Sequence, residues 1–258
     1  MRKEPLPAGV HVALATPFTP EYDVDVPAVR RLVEHVVEGG IRGLNVMGST
    51  GEVASLSQPR RRLLVDTVVD AAAGRVPIIA AVAQNSLDDA MREIDALARQ
   101  GVGGALVTAP SYYPLTPLSV ESYYRSLAAG SALPLLIYHI PQFTKVFVPP
   151  ETVAALARDG IVVGIKDSSR DFEYFSQVVF ATRGIEGFRA FTGSDTMLLA
   201  SLVLGASGTI AGGRTWPRGW PWSCSRRSTL ASGPAPATCS SGCFGSSWRP
   251  GRGCSPPA

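Results

Sequence analysis

The first 213 residues of the chain contain neither cysteine nor tryptophan, because all four cysteines and all four tryptophans lie in the last 45 residues. A body without cysteine has no disulfide framework, which a reducing compartment permits. No apolar run approaches the roughly 20 residues that a membrane-spanning helix needs. The start of the chain also lacks the apolar segment of a secretory signal. These absences predict a cytoplasmic protein without membrane attachment.

Acidic residues are missing from the last 45 residues, and this distorts the charge of the whole chain. The formal net charge is +3, but residues 214–258 contribute six arginines and no Asp or Glu. Without that tail, 18 basic residues stand against 21 acidic ones, a net charge of −3. The mildly acidic body argues against a nucleic-acid partner. The tail lacks the ordered basic and aromatic spacing that would bind a single strand.

Histidine is scarce, and the three that are present lie on separate predicted elements: His11, His35 and His139. No two of them have the spacing of metal ligands, and the cysteines of the tail form no CxxC pair. We therefore predict no metal and no other cofactor, which disfavours a mechanism that depends on a metal ion.

Residues 11–213 alternate between short apolar runs and amphipathic stretches. The apolar runs predict strands at 11–15, 43–47, 77–82, 104–108, 134–139, 161–165, 188–192 and 207–211. The amphipathic stretches predict helices at 27–38, 59–73, 86–99, 119–129, 150–158, 171–182 and 195–204. Strands that alternate with helices pair in parallel through right-handed crossovers.

The size and the first turn of this pattern favour a closed α/β architecture, the (β/α)8 or TIM barrel. The alternative is a doubly wound open sheet. Its usual glycine-rich turn after the first strand is absent, because that strand runs into Thr16-Pro17-Phe18. We predict one barrel domain over residues 1–213. Catalytic groups of such barrels lie at the carboxyl ends of the strands.

The chain has only three lysines, and only one of them follows an apolar strand. Lys3 lies near the start of the chain and Lys145 in a predicted loop, whereas Lys166 follows the run 161–165. Burial at a barrel mouth would lower its pKa and leave a neutral amine that can attack a ketone and form an imine. The alternative is a structural ion pair with a neighbouring carboxylate such as Asp167.

Two further strand ends carry groups that suit acid–base chemistry or anion binding. Tyr138 ends the strand before Lys166 and could transfer protons, or it could be an ordinary core tyrosine. The run Gly48-Ser49-Thr50-Gly51 offers backbone N–H groups and two hydroxyls, which suit a carboxylate. It could equally be a polar turn, and it lacks the lysine of a phosphate-binding loop.

Four segments in this order and spacing resemble the dihydrodipicolinate synthase / N-acetylneuraminate lyase family, over roughly residues 8–213. They are 48–52 (GSTGE), 138–141 (YHIP), 164–167 (GIKD) and 193–195 (GSD). The resemblance implies a Schiff-base aldolase or lyase on a TIM barrel. Its substrates would be pyruvate, or a 2-oxo acid that yields it, and an aldehyde. The rival hypotheses are a 4-hydroxy-tetrahydrodipicolinate synthase proper and a barrel without activity.

The resemblance also assigns a role to each matching residue. It implies that Lys166 forms the imine and that Tyr138 moves protons, linked to Ser49 and Tyr112. Tyr112 would reach the site of a neighbouring subunit, so the resemblance implies a homotetramer built as a dimer of dimers. The residues implied to bind substrate are Ser49, Thr50, Gly193, Asp195 and Ile210.

Several positions depart from the family's branches. Phe143 stands where the lysine-pathway synthases have an arginine that binds a carboxylate, and a phenyl ring cannot replace a guanidinium. Ser49-Thr50 resembles the sialic acid lyases, but Thr196 replaces their acidic residue. Asp167-Ser168-Ser169 resembles members acting on shorter 2-oxo acids. His139 replaces the usual asparagine.

The composition changes abruptly after Gly213. Residues 214–258 contain no Val, Ile, Met, Asp, Glu or Lys, and neither helical nor strand periodicity continues there. GC-rich codons for Trp220–Ala231, read one base earlier, can encode an amphipathic helix that ends in glycine. We therefore predict that 214–258 is an irregular tail produced by a frameshift, with the eighth helix and the C-terminal helices missing or disrupted. A genuine disordered Ser/Pro/Arg tail is the alternative.

Overall fold

The computed structural model describes residues 6–213 as a closed barrel of eight parallel strands in sequence order. The TIM barrel predicted from the sequence is confirmed, and the open sheet is excluded because the first strand pairs with the eighth. The predicted tail at 214–258 lies outside the described residues, and so does the place after β8 where the eighth helix of the barrel would follow. The strands are β1 Gly9–Ala13, β2 Gly43–Val46, β3 Ile78–Val82, β4 Gly104–Val107, β5 Leu135–His139, β6 Gly164–Asp167, β7 Arg189–Thr192 and β8 Gly208–Ala211.

The helices surround this barrel, and seven of them match predicted segments to within a few residues. They are α1 Val26–Glu38, α2 Gln58–Ala72, α3 Leu87–Arg99, α4 Pro117–Gly130, α5 Pro141–Thr144, α6 Pro150–Arg158, α7 Phe172–Ala181 and α8 Leu198–Leu204. The short helix α5 was not predicted, and neither were the 3₁₀ turns Ser49–Gly51 and Val53–Ser55. Segments of three or four residues are too short to show a helical period.

The strands are mostly apolar because both of their faces are buried. On β5, Leu135 and Ile137 point outward into the layer beneath the helices, whereas Leu136 and Tyr138 point into the barrel. Phe191 and Ile210 join them inside. The barrel interior is therefore packed with side chains, and its open end alone is available for chemistry.

The sixth strand differs from its prediction, and the difference moves the lysine. The predicted strand 161–165 ended before Lys166, but β6 begins at Gly164 and includes it. Residues 161–163 are apolar because they connect α6 to the barrel, where Val162 is buried. Their hydrophobicity therefore reflects the packing of a connection rather than strand pairing. Lys166 is consequently fixed on both sides by strand hydrogen bonding.

A glycine closes the barrel where the last strand meets the first. Gly208 has φ +145, a conformation that residues with a side chain rarely adopt. A Cβ atom there would collide with the backbone of Gly9 on β1. The close approach of β8 to β1 therefore requires a glycine at this position.

Candidate active site

Lys166 lies on β6 with its side chain inside the barrel and only 4% exposed. Burial lowers the pKa of Lys166, and this effect outweighs the opposing influences of Tyr138 and of the Asp195 charge. A lower pKa makes the neutral, nucleophilic amine available nearer to neutral pH. Asp167, the alternative ion-pair partner, lies on the opposite face of the strand, because successive residues of a strand alternate between faces.

Tyr138 is the direct neighbour of Lys166 across the pair of strands β5 and β6. It is 5% exposed, and its hydroxyl lies 3.5 Å from Lys166 Nζ. The amine also lies 4.5 Å from the centre of the Tyr138 ring. The phenol is thus close enough to exchange a proton with a group bound to the lysine.

Ser49 completes this group from the far side of the barrel. Its Oγ lies 2.9 Å from the Tyr138 hydroxyl. The turn that carries it is held by Thr16, whose hydroxyl donates to the Gly51 carbonyl at 2.7 Å. Three strand ends, those of β2, β5 and β6, therefore bring a serine, a tyrosine and a lysine into one hydrogen-bonded chain.

The neighbouring turns place two more of the predicted residues beside this chain. Thr50 is exposed at the mouth and packs against Gly212, where a Cβ atom would lie 3.1 Å from Thr50 Cγ2. Ile210 is fully buried inside the barrel, in the same cluster as Tyr138. Ile210 therefore lines the barrel interior on the β8 side, two strands from Lys166, and Thr50 lies at the opening.

Gly193 and Asp195 follow β7. The Gly193 N–H donates to the Asp167 carbonyl at 2.6 Å, and a Cβ atom at Gly193 would collide with Ser168. Asp195 is exposed on the rim, accepts a hydrogen bond from the Gly213 N–H at 3.2 Å, and is near enough to Lys166 to influence its pKa. This turn supplies both a small residue and a carboxylate at the mouth.

Tyr112 stands apart from the hydrogen-bonded chain within the described residues. It is 76% exposed and packs edge-on against Tyr113, with ring centres 4.9 Å apart. The side-chain oxygen of Asn85 fixes the loop by accepting from the Ser111 and Tyr112 N–H groups at 2.8 and 3.2 Å. The loop thus presents two aromatic rings to the outside of the rim.

Phe143 is 68% exposed on α5, the short helix that follows Tyr138 and His139. Its neighbour Gln142 ties α5 to the next loop by donating to the Ser168 carbonyl at 2.8 Å. Lys145, the residue that follows α5, donates from its Nζ to the Gln142 carbonyl at 2.9 Å. An apolar ring therefore occupies the exposed position on this side of the mouth.

Sequence reasoning gave no functional role to Thr16 or Asn85. Both brace functional loops through bonds to backbone groups more than 20 positions away in the chain. Their location after β1 and β3 was the available signal, but the sequence could not show which loop each would contact.

The described part of the chain offers no obvious place for a metal or a membrane span. Among residues 6–213, no group of three or more His, Cys, Asp or Glu side chains could hold a metal ion. None of the described helices combines the length and apolar character needed to cross a bilayer.

Comparison with known proteins places this site in a family. The dihydrodipicolinate synthetase family matches residues 6–214. A 4-hydroxy-tetrahydrodipicolinate synthase of Salinibacter ruber is 35% identical over 204 residues, which cover 79% of this chain and 67% of that protein. The same enzyme of Thermus thermophilus is 38% identical over 206 residues, covering 79% of this chain and 68% of the relative.

Solved structures give the same result. Dihydrodipicolinate synthase of Bacteroides thetaiotaomicron superposes with a TM-score of 0.78 at 31% identity, covering 82% of this chain and 71% of that one. The enzyme of Acinetobacter baumannii, solved with pyruvate, gives 0.77 at 29% identity and covers 81% and 71% of the two chains. The buried lysine, its tyrosine neighbour and these matches together show that the chain belongs to the dihydrodipicolinate synthetase family of pyruvate-dependent, Schiff-base-forming lyases.

Proposed function

We propose that Lys166 forms an imine with pyruvate, or with a 2-oxo acid that yields it, and that the enzyme makes or breaks the adjacent C–C bond. The observation that carries this proposal is the buried Lys166 amine, whose pKa burial lowers and which lies inside the barrel, 3.5 Å from the Tyr138 hydroxyl. The amine attacks the ketone carbon, and the ketone oxygen leaves as water. In cleavage, the electrons of the C–C bond move into the imine and form an enamine while the aldehyde departs. Addition to an aldehyde reverses these steps.

Tyr138 is proposed as the group that moves the protons. It would supply a proton to the departing water and accept one from the hydroxyl of the substrate during cleavage. Ser49 holds the phenol at 2.9 Å and offers an exchange partner for its proton. The hydroxyl groups thus provide a path for protons between Lys166 and the barrel mouth.

The substrate carboxylate is proposed to bind at the turn after β2. Ser49 and Thr50 present hydroxyls there, and the turn adds backbone N–H groups. Gly193 is proposed to line the substrate site on the β7 side, where a Cβ atom would collide with Ser168. Asp195 would accept a hydrogen bond from a substrate hydroxyl, and the backbone of Ile210 would line the site on the β8 side.

The exposed Tyr112–Tyr113 pair supports assembly with further copies of the chain. Two large exposed aromatic rings, on a loop whose backbone is bound by Asn85, are typical of interface anchors. We propose that a second copy covers them and that Tyr112 completes the proton path of the neighbouring site, within a dimer of dimers.

The cytoplasm remains the predicted location of the protein.

Reduction with borohydride in the presence of pyruvate tests the proposed function. The reduced imine leaves a carboxyethyl group on the modified lysine, which peptide mass spectrometry locates. We expect the label on Lys166 and not on Lys3 or Lys145. Folded protein without a label on Lys166 would exclude the mechanism and favour a barrel without activity.

Phe143 predicts a poor enzyme for an aldehyde that carries its own carboxylate. A missing charge-assisted contact costs about 2–5 kcal/mol, or roughly tens to thousands-fold in rate. We expect low kcat/KM for aspartate semialdehyde with pyruvate, and we expect Phe143→Arg to raise it about tenfold or more. The neutral control is Phe143→Gln, which opens the same space without charge.

The comparison uses steady-state kinetics with aspartate semialdehyde and with an uncharged aldehyde of similar length. Phe143→Arg should help only the charged substrate. Efficient turnover of aspartate semialdehyde by the unmodified enzyme would show that Phe143 does not select against a carboxylate.

We also propose that residues 214–258 are translated in a shifted reading frame. The family match ends at residue 214, where the composition changes, and the chain covers about two thirds of the length of the Salinibacter ruber relative. We expect that the gene, read in a frame shifted by one base after codon 213, encodes an amphipathic helix. The sequence translated from that frame should remain similar to the family. A stop codon within a few codons of that frame would refute the frameshift.

A further inference from the structure

His139 and Asp167 form a buried pair directly behind the residues of the proposed imine chemistry. His139 Nδ1 lies 2.8 Å from Asp167 Oδ1, and both side chains are 1% exposed. Because a carboxylate can only accept, the imidazole Nδ1 donates this hydrogen bond. The pair faces the helical layer, whereas Tyr138 and Lys166 face the barrel interior.

The register of the two strands makes this position significant. Tyr138 is the Cα partner of Lys166, and His139 is the Cα partner of Asp167, one residue further along the same strands. A bond between the second pair therefore fixes the relative shift of β5 and β6 at the level where the first pair must meet. A slip by one residue would turn Tyr138 away from the amine.

Each partner is itself held in place. The Asp167 carboxylate accepts two further hydrogen bonds from Ser169, from its N–H at 3.1 Å and its hydroxyl at 3.0 Å. The His139 ring packs on the ring of Tyr174 from α7, with centres 4.3 Å apart. Tyr174 donates its hydroxyl to the Val148 carbonyl at 2.8 Å. The pair thus ties the two catalytic strands to the helices behind them.

We propose that His139 and Asp167 are positioning residues that hold the Tyr138 hydroxyl and the Lys166 amine at reacting distance. This inference rests on the proposed function, because it assigns the pair a role in imine formation at Lys166. Both side chains face the helical layer, away from the barrel interior that holds the Lys166 amine. Its loss should slow the reaction while leaving pyruvate binding intact, since Ser49 and Thr50 lie on a different strand end.

Three variants test the proposal. His139→Leu and Asp167→Asn remove the charge-assisted bond, whereas His139→Asn keeps an amide donor at the place of Nδ1. A misplacement of about 1 Å can cost on the order of 100-fold. We expect kcat and the rate of imine trapping to fall about 10- to 100-fold in the first two, with KM for pyruvate within about threefold. His139→Asn should remain near the unmodified enzyme.

The matched control is His11→Asn. His11 is fully buried on β1, packs on Phe191 with ring centres 5.1 Å apart, and contacts the chain start through the Pro7 carbonyl. It measures what the loss of a buried imidazole does to stability alone. Thermal unfolding is recorded for every variant so that kinetics are compared among folded proteins.

Should His139→Leu and Asp167→Asn fail to fold, Ser169→Ala gives a milder test. It removes one hydrogen bond to Asp167, and we expect kcat to fall about two- to tenfold at unchanged KM. The proposal is overturned if the available variants keep kcat within twofold, or if His139→Asn loses as much as His139→Leu. Failure of the unmodified enzyme to trap pyruvate would instead refute the proposed function itself.

Discussion

Replacing Lys166 with methionine is expected to abolish imine trapping and to lower kcat on the order of 10⁴- to 10⁶-fold, as the loss of a covalent catalyst does. Methionine fills a similar volume but carries no amine, so the barrel mouth should stay packed. Trapping with pyruvate and borohydride, followed by turnover with the best aldehyde, measures both effects. The control is Lys145→Met, since Lys145 is bound to the Gln142 carbonyl on the loop surface.

The lowered pKa of Lys166 adds two further expectations to this variant. In the unmodified enzyme, imine formation should rise with pH up to the lowered pKa and then level off, because only the neutral amine attacks. The unfolded chain binds a proton at Lys166 more tightly than the folded chain does. Lys166 therefore lowers the stability of the fold as the pH falls below the ordinary pKa of lysine. Lys166→Met should therefore unfold at a higher temperature than the unmodified enzyme at neutral pH. Residual trapping elsewhere in the variant would contradict the assignment of Lys166.

Removing the Tyr138 hydroxyl with Tyr138→Phe is expected to lower kcat about 10²- to 10⁴-fold. The phenyl ring keeps its place beneath the Lys166 amine, 4.5 Å away, so the change isolates the proton path. Imine trapping should become slower but stay detectable, because the amine remains. Trapping reactions quenched at timed intervals give the rate of imine formation, and steady-state kinetics give kcat.

Two controls separate this effect from packing. Tyr124→Phe removes a fully buried hydroxyl that donates to the Val107 carbonyl at 2.8 Å, outside the site, and should leave kcat unchanged. Ser49→Ala breaks only the outer hydrogen bond of Tyr138 and should give a smaller loss. If Tyr138→Phe keeps kcat within tenfold, another group must move the proton.

Much of the barrel was predictable because its physical causes are local. Each strand is a short apolar run bounded by turn residues, and each amphipathic stretch buries one face, so periodicity alone locates the elements. Lys166 stood out because a charged residue follows a buried strand. The family resemblance then linked it to Tyr138 and Ser49, which the structure places within hydrogen-bonding distance of each other.

The sequence by itself thus determined the eight strands, the seven longer helices and their order, since these depend on composition and spacing along the chain. Composition and spacing also marked Lys166, Tyr138 and the turn 48–51, and the resemblance to the family added the other candidate residues. The tertiary structure decided that Lys166 lies within β6, that Thr16 and Asn85 brace distant loops, and that His139 meets Asp167 behind the site. These contacts join residues 26 to 35 positions apart. They exist because barrel closure fixes the register of neighbouring strands, and register depends on all the strands together rather than on any one segment.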